Sequence, residues 1–386
     1  MIHLKNSCLV ILIIFGFICC SEVYNPIIDS KAEALIVEGL ITDGAGPFSI
    51  KLTKAVLFTS DSISSINYVS GAKLTVNDNK NNSVELTDAG FGTYTLPTGF
   101  KAKIGNSYKL HIVTADGNIF ESNVQKLLPP QSYDSIHASY ATQEYIDKNN
   151  NYTSVGGAVI EEDLFKNFPK SDTIPSCRFN SIITVQYSYT QNDIDQLTGL
   201  TIVDWHWVYF GWSNLPLNNN ENITDEKSLS SNVAIKNHSI GFIPFGTASY
   251  GIMTPITAAT YYYLRIDQYT MNNDSYLFYK GANKQLAASG KIFDPITSQL
   301  YGNMKCLNNP TKTVLGLFEV SSVTQHAFVV NQPTSDKIVK ITKVPYIYIP
   351  GSTVQEYKVW DGNPLFKPKD SVYNYIPIPD WWYHNK

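Results

Sequence analysis

Hydrophobic and polar residues alternate along the first third of the chain, with a turn after every few residues. Alternation with a period of two places every second side chain on one face of a strand, so each run predicts a half-buried β-strand. The runs are 35–41, 48–52, 72–76, 84–86, 90–96, 107–113 and 119–122. Short strands at this spacing predict an immunoglobulin-like β-sandwich over residues 35–128, which ends before the strand-breaking pair Pro129-Pro130.

The remainder, residues 131–386, has a less regular pattern that is again mostly β. Strands are predicted over 181–189, 201–212, 261–266, 314–320, 326–330, 338–344 and 357–360. One helix is expected near 274–288, because Asn273-Asp274-Ser275 offers an N-cap, the segment lacks proline, and Gly290 can end it. The polar stretch 214–236 is expected to be a long surface loop. The fold class predicted is mainly β: the N-terminal sandwich, then a larger β-rich domain with one helix.

The first twenty residues have the pattern of a processing signal. Lys5 precedes an apolar run over 8–18, which is too short to span a bilayer comfortably. The run ends in Cys19-Cys20 before polar residues, and this arrangement resembles a bacterial lipobox. Cys20 suits the acylated position better than Cys19, because a small residue precedes it and Phe17 lies three positions before. We therefore expect a signal peptide over 1–19, lipid attachment at Cys20 and a lipidated tether over 20–34. The alternative is an ordinary secretory signal with incidental cysteines.

Composition narrows the class of protein. The chain has 386 residues, of which 16% are charged, and its formal net charge is −4, so neither a nucleic-acid partner nor a disordered acidic tail is expected. Aromatic residues are numerous, with 25 Tyr, 18 Phe and 6 Trp, which favours strands over helices. After processing, only Cys177 and Cys306 stay free. They either form a disulfide in an oxidising exterior or persist as two buried thiols.

No motif for catalysis or for metal binding stands out. The sequence lacks a GxSxG elbow, an HExxH motif, a P-loop, a dinucleotide fingerprint and a CxxC pair. Its histidines are scattered, so neither a metal site nor a cofactor is expected. The carboxylates of Glu161-Glu162-Asp163 form either an acid–base pair or a solvated turn, and the turn is favoured because adjacent side chains usually point apart. The protein is expected not to be an enzyme; a hydrolase with a dispersed site is a further alternative.

One predicted strand carries a row of aromatic residues. Trp205, Trp207 and Tyr209 share one face of the strand over 201–212. An exposed aromatic row would stack on sugars or dock a partner, whereas the alternative is a row packed inside a sandwich core. The same choice holds for Trp381-Trp382 near the C-terminus, which is either a plug on the second domain or a contact surface.

Several segments, taken in their order, resemble a known family. After the lipobox come 35–43, Gly46-Pro47, 71–76, 92–94, Phe293-Asp294-Pro295, Gly302-Asn303, 314–318 and Pro379-Asp380-Trp381-Trp382. This order is similar to a Bacteroidota lipoprotein family catalogued as domain of unknown function 4249. The resemblance implies no catalytic residues. It implies an outer-membrane lipoprotein that is usually encoded beside a TonB-dependent receptor, and Glu22 resembles the signal that sends such lipoproteins to the cell surface.

These expectations converge on a surface-exposed outer-membrane lipoprotein that is held by outer-membrane lipid through acylated Cys20. Its leading function is that of a non-enzymatic binding or accessory module for a TonB-dependent β-barrel transporter in nutrient uptake. The alternative is a stand-alone glycan- or peptide-binding, or adhesive, surface lipoprotein that uses Trp205 and Trp207. The sequence does not identify the ligand, whether small molecule, glycan or peptide.

Overall fold

The computed structural model describes residues 34–55, 67–146, 150–166, 175–194, 201–217, 222–224, 234–245, 261–288, 300, 302–333, 336–344 and 355–360. Within these ranges the chain is mainly β, as predicted, and it contains 22 strands and one helix, α1 (Asn273–Ala288). The helix begins at the expected N-cap segment, and the Tyr276 amide donates to the carbonyl of Asn272 at 3.1 Å. No helix in the described part of the chain has the length and apolarity that crossing a membrane requires.

Two six-stranded sheets form the N-terminal sandwich. The first has the order β19-β1-β2-β7-β6 with β3 beside β2, and the second has the order β18-β9-β8-β4-β5 with β10 beside β8. The strands of the first sheet are β1 (Leu35–Ile41), β2 (Ser49–Lys54), β3 (Asn67–Tyr68), β6 (Thr87–Gly90), β7 (Thr93–Thr95) and β19 (Val314–Val320). The strands of the second sheet are β4 (Lys73–Asp78), β5 (Ser83–Glu85), β8 (Ser107–Val113), β9 (Ile119–Ser122), β10 (Gln125–Lys126) and β18 (Met304–Cys306). Inward residues such as Ile50, Leu74, Tyr94, Leu110 and Phe120 form one hydrophobic core. This arrangement is consistent with the predicted sandwich, whose immunoglobulin-like topology stays a prediction.

Two strands from late in the chain complete this sandwich. β19 pairs in parallel with β1, from Leu35 opposite Val314 to Ile41 opposite Val320. β18 pairs antiparallel with β9 on the other sheet. The residues after 131 therefore contribute to both bodies of the protein, and the boundary near residue 128 does not divide the chain into two separate halves.

Two residues, one just before β18 and one in β19, explain how these late strands pack against the sandwich. Gly316 has φ +89°, and a Cβ at this position would lie 2.0 Å from the carbonyl oxygen of Val37, so the close approach of β19 to β1 requires glycine. The Asn303 side chain forms two hydrogen bonds with the backbone of Phe318. Its amide group donates to the Phe318 carbonyl at 2.8 Å, and its oxygen accepts from the Phe318 amide at 3.0 Å. These contacts give a physical role to the Gly302-Asn303 and 314–318 segments.

The second body is also built from two sheets. A three-stranded sheet has the order β11-β12-β16, and a seven-stranded sheet has the order β21-β20-β17-β13-β14-β22 with β15 beside β13. The bounds are β11 (Tyr133–Ile146), β12 (Tyr152–Leu164), β13 (Ser176–Ile194), β14 (Thr201–Pro216), β15 (Asn222–Ile223), β16 (Ile235–Pro244), β17 (Tyr261–Met271), β20 (Ser322–Asn331), β21 (Lys340–Val344) and β22 (Gln355–Trp360). A second core lies between them and includes Ile160, Phe179, Ile243, Leu264 and Phe328. Of the stretch 214–236, expected to be a loop, the described residues contribute the end of β14, all of β15 and the start of β16, and the rest lies outside the described residues.

The second body meets the sandwich at the end where β1 stops. There the Asp43 carboxylate accepts from the Val323 amide at 2.9 Å. The side chains of Asn123 and Gln125, which follow β9, each donate to the Asp274 carboxylate at the start of α1 at 2.9 Å. The opposite end of the sandwich, where β1 begins, lies about 20 Å away along the strand. We call it the free end.

Candidate functional site

A small pocket lies at the free end of the sandwich. The start of β1, the end of β2, β3 and the turn between β8 and β9 surround a volume of about 240 Å³. Three of the lining side chains, Leu35, Val69 and Phe120, belong to the buried core, so this part of the pocket is apolar. Ala34, the first described residue, also lines the pocket, which places the end of the N-terminal segment at its edge.

Polar and charged side chains complete the wall of the pocket. Lys312 lies 3.2 Å from the Asp116 carboxylate, and the Thr114 hydroxyl donates to the same carboxylate at 2.5 Å. These hydrogen bonds, with that of Thr114 the strongest influence, hold the pKa of Asp116 well below its usual range. Lys54 contributes a further cationic side chain. The pocket therefore combines apolar surface with fixed charge, which suits a small amphiphilic group.

An exposed aromatic pair borders this pocket. Tyr68, which lines the pocket, and Phe91 meet edge to face, with ring centroids 5.8 Å apart. Tyr68 is 40% exposed and Phe91 is 78% exposed. The Lys51 ammonium lies 5.8 Å from the centre of the Tyr68 ring. Large apolar side chains that cluster on a surface mark a site of interaction more often than scattered ones do.

The turn that carries Phe91 has a fixed conformation. Gly90, Phe91 and Gly92 all have positive φ, at 87°, 51° and 68°. The Asp88 carboxylate accepts from the amides of Gly90 at 2.8 Å and Gly71 at 3.2 Å, and these bonds lower the Asp88 pKa. A Cβ on Gly92 would lie 2.3 Å from the Leu52 carbonyl oxygen. An aromatic residue with positive φ is uncommon, and here it presents an exposed ring from a rigid turn.

A buried polar network joins the two bodies near the opposite end of the sandwich. The guanidinium of Arg178, on β13, lies 3.1 Å from the carboxylate of Glu319, on β19. The hydroxyls of Tyr279 and Ser321 donate to the same carboxylate at 2.5 and 2.7 Å. The guanidinium also lies 4.4 Å from the centre of the Tyr269 ring. Because these partners come from both bodies and from α1, the network fixes how the bodies meet.

A second buried carboxyl group lies inside the second body. The predicted solvated turn at Glu161-Glu162-Asp163 is wrong, because all three residues lie in β12. Glu162 occupies the same inward row as Ala158, Ile160 and Leu164, it is 0% exposed, and neither of its carboxyl oxygens has a hydrogen-bond partner among the described residues. Burial raises the Glu162 pKa to about 8.

The cysteines predicted to pair or to stay as thiols are both free and buried. Cys306 belongs to the core of the sandwich, whereas Cys177 belongs to the core of the second body. Burial, together with the nearby Glu162 carboxyl, raises the Cys177 pKa to about 12. The structure thus contains two separate thiols in place of a disulfide.

The other predicted site residues fall mostly on undescribed parts of the chain. Cys20 and the aromatic cluster at 381–382 lie outside the described residues. The strand predicted for Trp205, Trp207 and Tyr209 is confirmed as β14, where position 207 pairs with position 360 of β22 and position 209 with position 189 of β13. The side chains of the row lie outside what the structure describes, so the choice between platform and core stays open.

The aromatic pair and the pocket are not evident from the pattern of the sequence. The run 90–96 was expected to be one strand, whereas the strand covers only Thr93–Thr95 and the preceding glycines form a turn. The signal was present in Gly90-Phe91-Gly92, since two closely spaced glycines favour a turn. The pocket had no local signal, because its walls come from five separated segments. Among the described residues, no group of three His, Cys, Asp or Glu side chains is arranged to hold a metal ion.

The fold and the site together define a mainly β protein with two sheet-built bodies, one of which ends in a small pocket and an exposed aromatic pair. Comparison with protein-family models identifies the family: the model described as Domain of unknown function (DUF4249) matches residues 21–327. The chain therefore belongs to this family. No curated protein and no solved structure matches the chain.

Proposed function

We propose that the protein is a lipid-anchored binding module of a Bacteroidota outer membrane. In this proposal, cleavage before Cys20 and acylation of its thiol anchor the chain to the membrane, and the folded body faces the cell exterior. The protein then acts without catalysis as an accessory to a TonB-dependent β-barrel transporter.

One observation carries this proposal. The family match begins at residue 21, directly after the cysteine expected to be acylated. The apolar run and Cys19-Cys20 thus lie outside the matched region, as expected for a removed signal and a modified first residue. Several buried acyl chains contribute about 0.8 kcal/mol per methylene group, enough for stable anchoring.

The geometry of the described residues supports a binding role. The pocket at the free end combines apolar and charged walls, and the rings of Tyr68 and Phe91 are exposed beside it. The buried network around Glu319 couples the two bodies, so that a contact made by one body is held in a fixed relation to the other. Such a body suits a module that positions a ligand or a partner above a membrane.

Affinity purification from native membranes tests the proposal. The tagged protein is extracted in mild detergent beside a Cys20→Ala control, and co-purifying proteins are identified by mass spectrometry. We expect acylated Cys20 in the wild type and a TonB-dependent receptor that is enriched with the wild type and lost with the control. A wild-type protein recovered alone from the membrane fraction would contradict the transporter role while leaving the anchor intact.

A second candidate function is a stand-alone glycan- or peptide-binding surface protein. The observation that favours it is the backbone register of β14 and β22, which pairs position 207 with position 360, so that two tryptophans occupy neighbouring positions of the two strands. Replacing Trp205 and Trp207 by alanine should then abolish glycan or peptide binding without unfolding the protein. Unchanged binding would exclude this use of the row.

A further inference from the structure

The free end of the sandwich is the described surface nearest in sequence to the proposed anchor. Ala34 lies 14 positions after Cys20, so the intervening chain reaches at most about 48 Å even when fully extended. Ala34 and Tyr68 line the same pocket, and Phe91 contacts Tyr68. The aromatic pair therefore lies where the chain arrives from the anchor.

The described contacts between the second body and the sandwich lie at the other end of the sandwich. β1 and β19 run in parallel, and both reach the second body at their C-terminal ends, near Ile41 and Val320. The contact between Asp43 and Val323 lies at that same end. The aromatic pair and the second body thus occupy opposite ends of the sandwich.

The chemistry of the free end matches the interface of a bilayer. Exposed aromatic rings partition into the headgroup region, and lysines extend their charged ends toward water beside them. Here Lys51 lies over the ring of Tyr68, and Lys54 and Lys312 line the pocket that Tyr68 also lines. Lysine is depleted from the cores of protein–protein interfaces, so the same combination is less suited to a protein partner.

Charge alone does not drive this contact. The carboxylates of Asp88 and Asp116 lie at the same end and offset part of the lysine charge. Asp88 accepts hydrogen bonds from backbone amides, and Asp116 is bound by Lys312 and Thr114. Burial of the aromatic rings is then the main attraction. The rigid turn lowers the entropic cost of burying the rings in the bilayer, because Phe91 is already held in its exposed position.

We propose that the free end of the sandwich docks on the bilayer surface, with Phe91 inserted among the lipid headgroups and Tyr68 beside it. This inference rests on the proposed anchor at Cys20, which confines the free end to the neighbourhood of the membrane. Docking orients the whole protein, since the sandwich then stands on the membrane and carries the second body at its far end.

Site-specific fluorescence on the lipidated protein tests this docking. The protein is reconstituted in vesicles of phosphatidylethanolamine and phosphatidylglycerol, and an environment-sensitive dye is attached at Ala89→Cys. Ala89 is exposed and lies two residues before Phe91, while Cys177 and Cys306 are buried and do not compete for the dye. A matched probe at Tyr152→Cys reports on the second body, where Tyr152 is 85% exposed. Quenching by lipids that carry a spin label at the headgroup measures proximity to the bilayer.

We expect quenching of the probe at position 89 and none at position 152. The variant Phe91→Asn removes the ring and retains a residue that tolerates positive φ, so it should fold normally. It should lower the ratio of docked to undocked protein about tenfold, as the loss of one partly buried aromatic ring predicts. Quenching at 89 that persists unchanged in Phe91→Asn would overturn the role of the ring.

Flotation of the vesicles separates the two proposals. A protein that fails to float with the vesicles would refute the anchor, and with it this inference. A protein that floats while its probe at position 89 stays unquenched is anchored but not docked, which overturns the docking alone. Protection of that probe only when a co-purified barrel is added would assign the surface to a protein partner and would also overturn it.

Discussion

The buried carboxyl group of Glu162 predicts an unusual dependence of stability on pH. Its pKa is raised by burial from an ordinary 4.5 to about 8 in the folded protein. Because the folded state binds the proton more tightly than the unfolded state, Glu162 favours folding most below pH 4.5, and this advantage is lost as the pH rises through 8. The replacement Glu162→Gln keeps the shape of the side chain and removes the titration.

The magnitude follows from the two pKa values. At pH 7 the folded protein must keep Glu162 protonated although the unfolded chain would ionise it, which costs about 3 kcal/mol. The cost approaches about 5 kcal/mol above pH 8 and falls below about 1 kcal/mol at pH 5. We therefore expect Glu162→Gln to match the wild type in acid and to exceed its free energy of unfolding by these amounts at higher pH.

Urea unfolding at pH 5, 6, 7 and 8, on the chain that starts at Ser21, measures this difference. Glu161→Gln is the matched control, since Glu161 is the preceding residue of β12, points to the opposite face and is only half-buried. Its difference from the wild type should not grow with pH. Parallel stability profiles for the wild type and Glu162→Gln between pH 5 and 8 would refute the reasoning.

Three further predictions concern other parts of the fold. Gly316→Ala should lower the free energy of unfolding by at least about 2 kcal/mol in urea titrations, because the added Cβ would clash with the backbone of β1. The control Gly105→Ala has a similar φ of +85° and open space around it, so it should lower the free energy of unfolding clearly less. Arg178→Met should destabilise by about 4 kcal/mol, since it leaves a buried carboxylate without its cation, and adding Glu319→Leu should restore part of that loss in the same urea assay. In the chain that starts at Ser21, thiol titration should find Cys177 and Cys306 unreactive in the native state and both reactive in guanidinium; no reaction in guanidinium would indicate a disulfide.

The local elements of the sandwich could be predicted from the sequence, because one face of each strand is buried. β8 alternates strictly between half-buried and buried residues, and this alternation is visible directly in its sequence. The partners of the strands could not be predicted in the same way. Residues 314–320 have the pattern of an ordinary strand, and nothing local indicates that their neighbour is β1, almost 280 residues earlier.

The candidate site was harder to predict because it depends on exposure and on contacts between distant segments. Three adjacent carboxylates favour a solvated turn, because their side chains usually point apart, whereas Glu162 instead occupies a buried apolar row with Ala158, Ile160 and Leu164. The sequence pattern places Phe91 in a strand, since aromatic side chains favour strands. Its flanking glycines, which need positive φ, were the only local sign of the rigid turn.

The two ends of the sandwich have different consequences for how the protein works at a membrane. Under the proposed docking, the end that carries Phe91 faces the lipid, while the end near Asp43 holds the second body about one strand length farther out. The ion pair between Arg178 and Glu319 and the parallel pairing of β19 with β1 make it costly to separate the two bodies. A contact between the aromatic pair and the bilayer would therefore fix the orientation of the second body as well. A transporter in the same membrane would then meet the flank of the sandwich or the second body, and the docked end would be unavailable to it.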